Sequence, residues 1–386
     1  MTDNTNVHEN TGYEALPAIL VLGDGKAYRG LQFGAAGRTV GEAVFTTAMT
    51  GYQETMTDPS YHRQIVVSTA PQIGNTGWND EDGESHGDKI WVAGLVIRDL
   101  AHRVSNWRAN RSLEDEMKAQ GIVGIQGIDT RALVRHLRNF GSVNAGIFTG
   151  DEANAPLERL VEVVNAQQSM AGSSLAEDVS TTETYIVEPD NGEAKYTVVA
   201  YDMGIKTNTP RNFAARGIRT VIVPANTSFE EIKQYNPDGV FVSNGPGDPA
   251  TADTMVNVVR EVLAADIPFF GICFGNQILG RALGMETYKL KFGHRGINVP
   301  VLNHLTGKID ITAQNHGFAL KGEAGEIFET PFGPAQVTHT CLNDGVVEGV
   351  ALTSGRAYSV QYHPEAAAGP HDANPLFDQF IELLEK

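Results

Sequence analysis

Cysteine is scarce in this sequence: 386 residues contain two, Cys273 and Cys341, and no C-x-x-C pair. A disulfide framework and a thiolate zinc site are both excluded by that count and spacing. Positive charge is short as well. Lys and Arg number 29 against 47 Asp and Glu, a formal net charge of −18. Such an excess repels phosphate backbones and anionic lipid, so neither nucleic acid nor a membrane surface is an expected partner. No apolar run approaches the roughly 20 residues of a spanning helix. The N-terminal MTDNTNVHENTGYEALP is polar, with no basic region ahead of an apolar one, so no secretory leader is expected. A G-x-x-x-x-G-K-[ST] phosphate loop is missing too. Together these absences predict a soluble, reduced, cytoplasmic protein.

What is present is an ordinary globular composition, 41% hydrophobic and 20% charged, in a length that suggests two or three domains. The first half opens with AILVLGDGKAYRGLQFG, two strand-like runs around the turn Gly23-Asp24-Gly25. RQIVVSTA and KIWVAGLVIRDL are further strand candidates. Asp129 before TRALVRHLRNF, with Gly141 after it, predicts one clear helix. The stretch GYQETMTDPSYHRQ reads most simply as turns and core. Residues 1–182 therefore form a strand-rich mixed domain, and the polar ETYIVEPDNGEAK over 183–195 predicts a linker. From 196 to 386 apolar strands alternate with amphipathic helices, as in YTVVAYDMG, KTNTPRNFAARG and IRTVIVPA. That rhythm means a doubly wound α/β domain, whose ligands bind beyond the carboxyl ends of the parallel strands.

One cysteine sits where such a site belongs. In PFFGICFGNQILG, Gly271 and Gly275 flank Cys273 at a turn from a buried strand into a helix. Free cysteines are usually small buried hydrophobes. Paired glycines at a strand-to-helix turn argue otherwise. They permit the tight elbow that exposes a nucleophile, and the helix N-terminus stabilises a thiolate. A thiolate in acyl chemistry needs a base, and the base an orienter. AYSVQYHPEAAAGPHD supplies His363 and Glu365, two residues apart at a predicted strand end, where extended backbone would point both the same way. In SNGPGDP, Gly245 and Gly247 let backbone N–H groups approach a substrate and line an oxyanion hole. The same loop nominally fits a dinucleotide fingerprint, but Pro246 and Pro249 donate no N–H and Asp248 would face a pyrophosphate. Cys341, in VTHTCLND, has no elbow and is assigned to packing or surface.

GICFGNQ, SNGPGDP and YHPEA together resemble the class I glutamine amidotransferases. FTTAMTGYQETMTDPSY, GIDTRALVRHLR, TAQNHGFA and PEAAAGPHDA narrow the resemblance to the small, glutamine-hydrolysing subunits of carbamoyl-phosphate synthetase, over nearly the whole chain. The resemblance implies that Cys273 attacks the glutamine side-chain amide to form a γ-glutamyl thioester, with His363 as base and Glu365 as its orienter. It implies glutamine binding by Ser60, Gly245, Gly247, Phe274, Gln277, Asn315, Gly317 and Phe318. It also implies a large-subunit partner holding ATP and divalent metal, with no cofactor in this chain. That partner makes carbamoyl phosphate for arginine and pyrimidine synthesis, and the strand-rich domain, which has no other evident task, is expected to contact it. Phe274 and Asn276 depart from the common GxCLGHQ pattern. A different amidotransferase or a free-standing γ-glutamyl hydrolase would share Cys273 and His363 but not the first domain. A non-catalytic module on the same fold could have lost nucleophile or base, and this chain has both.

Overall fold

The computed structural model describes residues 16–87 and 89–385, and these build a barrel, a large mixed sheet and a two-stranded parallel pair of Gln72–Ile73 with Asp99–Leu100. The first is a closed seven-stranded barrel. In order around it run Pro17–Leu22, Ala27–Gly34, Val123–Gln126, Gly94–Val96, Gln64–Ser68, Arg38–Thr46 and Val143–Thr149, which pairs back with the first. Gly25, at φ 88°, makes the turn between the first two strands, where a side chain would be strained. The expected helix runs Thr130–Phe140. Asp129 caps it by accepting from the Ala132 N–H at 2.9 Å, and Gly141 ends it at φ 99°. KIWVAGLVIRDL yields only the short strands Gly94–Val96 and Asp99–Leu100. Its first residues leave the ladder because the Trp91 N–H donates to the Met56 carbonyl at 2.8 Å.

The second sheet has eleven strands. Its parallel part is ordered Ile218–Pro224, Tyr196–Asp202, Gly239–Val242, Phe269–Ile272, Ala357–Val360. Alternate residues of one strand feed two cores: Val199 and Tyr201 on one face, Val198 and Ala200 on the other. The helices Asp253–Ala264 and Phe274–Ala282 cover the first face through Val256, Val259, Ile278 and Leu279. Asn208–Ala214 and Leu376–Leu384 cover the second, where Phe213, Phe241, Phe270, Phe377 and Phe380 meet with ring centroids 5.3 to 5.9 Å apart. Burying each such ring contributes about 1.5–3 kcal/mol, enough to fix the C-terminal helix to the sheet. Covered on both faces, the central strands are continuous apolar runs.

Past Ala357–Val360 the sheet turns antiparallel through Val347–Leu352, Ile309–Leu320, Thr287–Asn303 and Ala335–Cys341. At the opposite edge Tyr185–Val187 pairs antiparallel with Ile218–Pro224. That strand lies inside 183–195, so the expected linker is partly sheet edge. The open backbone groups of an edge strand recruit any short β-prone segment within reach, and Tyr-Ile-Val is one. Among the described residues no helix is long and apolar enough to cross a membrane.

Candidate active site

Phe269–Ile272 is buried throughout and runs into Cys273, which precedes the helix Phe274–Ala282 with φ 54° and ψ −97°. A non-glycine residue held there costs of order 1–3 kcal/mol. The flanking glycines show how the strain is imposed. A Cβ on Gly275 would lie 2.1 Å from the Val242 carbonyl oxygen, and one on Gly271 would lie 2.7 Å from the Gly275 carbonyl carbon. The helix thus starts in contact with two strands, and the chain must bend sharply at the residue between. The Cys273 N–H donates to the Val360 carbonyl at 2.8 Å, and its thiol donates to the Asn315 carbonyl at 3.6 Å. The elbow read from the sequence is there.

His363 Nδ1 and Glu365 Oε1 are 2.7 Å apart, and both side chains are buried. Extended alternation does not bring them together, however. The strand ends at Val360, and His363 to Ala366 form a turn closed by the Ala366 N–H donating to the His363 carbonyl at 3.2 Å. Hydrogen bonding to the carboxylate places a proton on Nδ1, and Nε2 is left buried without a hydrogen-bond partner. Burial and the Lys206 charge depress the His363 pKa, but Glu365 and the Cys273 thiol outweigh them and hold it up at about 10. Burial would raise the Glu365 carboxyl, yet His363 and Lys206 keep it below its ordinary value.

Three charged residues around this pair carry no signal in the sequence pattern. Lys206 Nζ lies 3.4 Å from Asp58 Oδ2 and 4.0 Å from Glu365 Oε1. Asp58 accepts from the Ser60 N–H at 2.9 Å and from Asn315 Nδ2 at 3.0 Å. Burial pushes the Glu84 carboxyl up to about 7 against the pull of Lys206. Asp58 and Ser60 belong to TMTDPSY, so a stretch read as turns and core forms one wall of the site. The barrel supplies chemistry as well as surface.

Beside Cys273 a cavity is lined by Ser60, by Gly245 and Gly247, by Gln277, and by Asn315, Gly317 and Phe318. Every residue expected to bind glutamine is there except Phe274, which is buried in the core beside it. Gly245 is pressed on neighbouring backbone: a Cβ would lie 2.1 Å from the Met203 carbonyl oxygen. Gln277 Nε2 donates to the Phe318 carbonyl at 2.9 Å and to Gln361 Oε1 at 3.1 Å, so its carbonyl oxygen is what it can offer a ligand. Asn276 donates to the same Gln361 oxygen at 3.2 Å and accepts from Ser359 Oγ at 2.9 Å. Its amide ties the helix to the strand and, through Gln361, steadies Gln277.

Cys341 is 1% exposed, and burial pushes its thiol up to about 12, which disfavours the reactive thiolate. It sits near His294 and Glu348, but both His294 nitrogens are already engaged, Nε2 with Asp344 at 2.8 Å and Nδ1 with Glu348 at 3.3 Å. That cluster is an internal ion-pair network.

Residues 20–147 match the family described as carbamoyl-phosphate synthase small chain, CPSase domain, and residues 199–383 match glutamine amidotransferase class-I. The carbamoyl phosphate synthase small chain of Corynebacterium diphtheriae is 78% identical over 375 residues, covering 97% of this chain and 99% of that one. That of Mycobacterium tuberculosis is 67% identical over 369 residues, covering 95% and 98%. The chain belongs to the carbamoyl-phosphate synthase small-chain family. Within that family it is a glutamine-hydrolysing synthase subunit with a class I glutamine amidotransferase domain. Among solved structures, a glutamine amidotransferase from Thermotoga maritima aligns at a TM-score of 0.36 and 18% identity, over 49% of this chain and 84% of that one.

Proposed function

We propose that Cys273 hydrolyses glutamine through a γ-glutamyl thioester and that the ammonia passes to a large subunit making carbamoyl phosphate. The observation that carries this is the strained elbow, which sets a thiol into a cavity beside a buried His363–Glu365 pair. His363 takes the thiol proton, and the thiolate attacks the side-chain carbonyl. The C–N bond breaks as the imidazolium protonates the departing nitrogen, and ammonia leaves. Neutral His363 then draws a proton from water, which attacks the thioester and releases glutamate and the thiolate. In this reading the Phe274 backbone and the glycine loop stabilise the oxyanion, while Ser60, Gln277, Asn315, Gly317 and Phe318 hold the amino acid. ATP and divalent metal belong to the partner, with none in this chain. The reading places the complex in the cytoplasm, feeding arginine and pyrimidine synthesis. Residues 1–182 are then the partner-contacting domain and 196–386 the amidotransferase domain.

Glu365 enters this scheme through charge. Its carboxylate raises the His363 pKa, so removing the charge lowers it. In Glu365→Gln the alkaline limb of kcat/KM against pH, where imidazolium is lost as the general acid, is expected to move to lower pH by about one unit or more. An unmoved limb would separate Glu365 from the proton chemistry.

The whole reading is tested by glutamate release from the full chain alone and then with its large subunit, ATP and bicarbonate. A slow glutaminase alone and a faster one in the complex are expected, since free glutamine splitting wastes the nitrogen. The coupling should amount to about 1–3 kcal/mol. Equal rates would refute coupling, and carbamoyl phosphate from the chain alone would refute the division of labour.

A further inference from the structure

One buried cation in the cavity wall is unaccounted for by the proposed chemistry. Arg295 lies on the strand Thr287–Asn303, directly opposite Asn315 in the sheet, and lines the same cavity as Cys273. It is 6% exposed. Its Nη1 donates to the Phe292 carbonyl at 2.8 Å, and its buried Nε has no hydrogen-bond partner. A Cβ on Gly317 would meet Arg295 Nη2 at 3.2 Å, so the guanidinium lies against a residue of the glutamine cavity.

No carboxylate balances this charge at ion-pair distance among the described residues. The groups in its field are Tyr61, Glu42 and Cys273. Glu42 is already committed, to Lys289 at Oε1 and to Gln64 Nε2 at 3.2 Å. Burying a guanidinium without a counter-charge is costly unless a ligand supplies it. Gln64 Oε1 is a second buried atom of this cavity without a partner, and it is an acceptor. An unpaired donor cation and an unpaired acceptor lining one cavity match a carboxylate and an ammonium on one carbon.

We infer that Arg295 binds the α-carboxylate of the glutamine substrate and so sets the preference for an amino acid over a simple amide. The inference rests on the proposed glutaminase reading of the site. The alternative counter-ion is the Cys273 thiolate itself, and the test must separate the two.

Steady-state kinetics of the full chain would compare glutamine with 4-aminobutanamide, which carries the same amide and amine but no carboxylate. Arg295→Gln should cut kcat/KM for glutamine by about 30-fold or more, mainly through KM, and for 4-aminobutanamide by under about 3-fold. Arg295→Lys should recover part of the glutamine loss, because charge returns without the planar fork. The pH midpoint for alkylation of Cys273 by iodoacetamide should be unchanged. Equal losses on both substrates, or a raised alkylation midpoint, would overturn the inference. If Arg295→Gln does not fold, Arg295→Lys decides by the same ratio, since a shared loss there would again mean a structural or thiolate role. No glutamate from the unsubstituted chain would instead remove the glutaminase reading, and this inference with it.

Discussion

Cys273→Ser is expected to abolish glutamine hydrolysis, by at least about 10⁴-fold, while the fold stays intact. The substitution changes one atom. A hydroxyl is far less acidic than a thiol, so His363 cannot generate the attacking anion at neutral pH. Serine carries a smaller atom in the same shape, and the strained φ of 54° is set by Gly271, Gly275 and the strands they touch, not by sulfur. An unchanged melting curve should therefore accompany the lost activity. Cys341→Ser is the internal control. That thiol is buried on a strand and does not line the cavity, and its replacement should leave turnover nearly intact. Residual glutamate release by Cys273→Ser near the starting rate would remove the nucleophile assignment. A comparable loss in Cys341→Ser would show that the wrong cysteine had been chosen.

The parts of this site that were legible in the sequence are those whose chemistry is local in the chain. Gly271 to Gly275 announces an elbow because five consecutive residues define the turn, and the structure builds it there. Asp129 and Gly141 mark the ends of their helix for the same reason. Extended alternation points to a His363–Glu365 contact, but the pair meets across a turn, since the His363 N–H leaves the parallel strands and donates to the Ala313 carbonyl at 2.9 Å. Lys206, Asp58 and Glu84 were not legible at all. Each comes from a different segment, and only the docking of the barrel on the sheet, for example the Thr207 N–H donating to the Glu84 carbonyl at 2.8 Å, brings them to one place. Arg295 is invisible for a further reason. An arginine in a β-strand is ordinarily a solvated residue, and what singles this one out is burial without a counter-charge, a property of packing and not of pattern.

His363→Asn is expected to lower kcat by about 10²- to 10⁴-fold, the usual worth of a positioned general acid–base. Asparagine preserves the backbone links that hold the turn, because the N–H to Ala313 and the carbonyl bond from Ala366 involve no side-chain atom. What it lacks is a titratable nitrogen at the buried position of Nε2. Both half-reactions then fail: the thiol keeps its proton, and water is not activated against any thioester that does form. Glu365→Ala should cost less, since an orienter biases proton position and ring angle without exchanging protons with the substrate. Two measurements make the assignment testable. Iodoacetamide should alkylate Cys273 more slowly at neutral pH in His363→Asn, because the imidazolium that stabilises the thiolate is gone. Turnover with glutamine should fall by a larger factor than alkylation, because alkylation needs the thiolate alone and hydrolysis also needs proton transfer to nitrogen and from water. If Glu365→Ala were the more damaging substitution, or if His363→Asn slowed alkylation and turnover equally, His363 would serve the thiolate only and the general acid–base would have to be sought elsewhere.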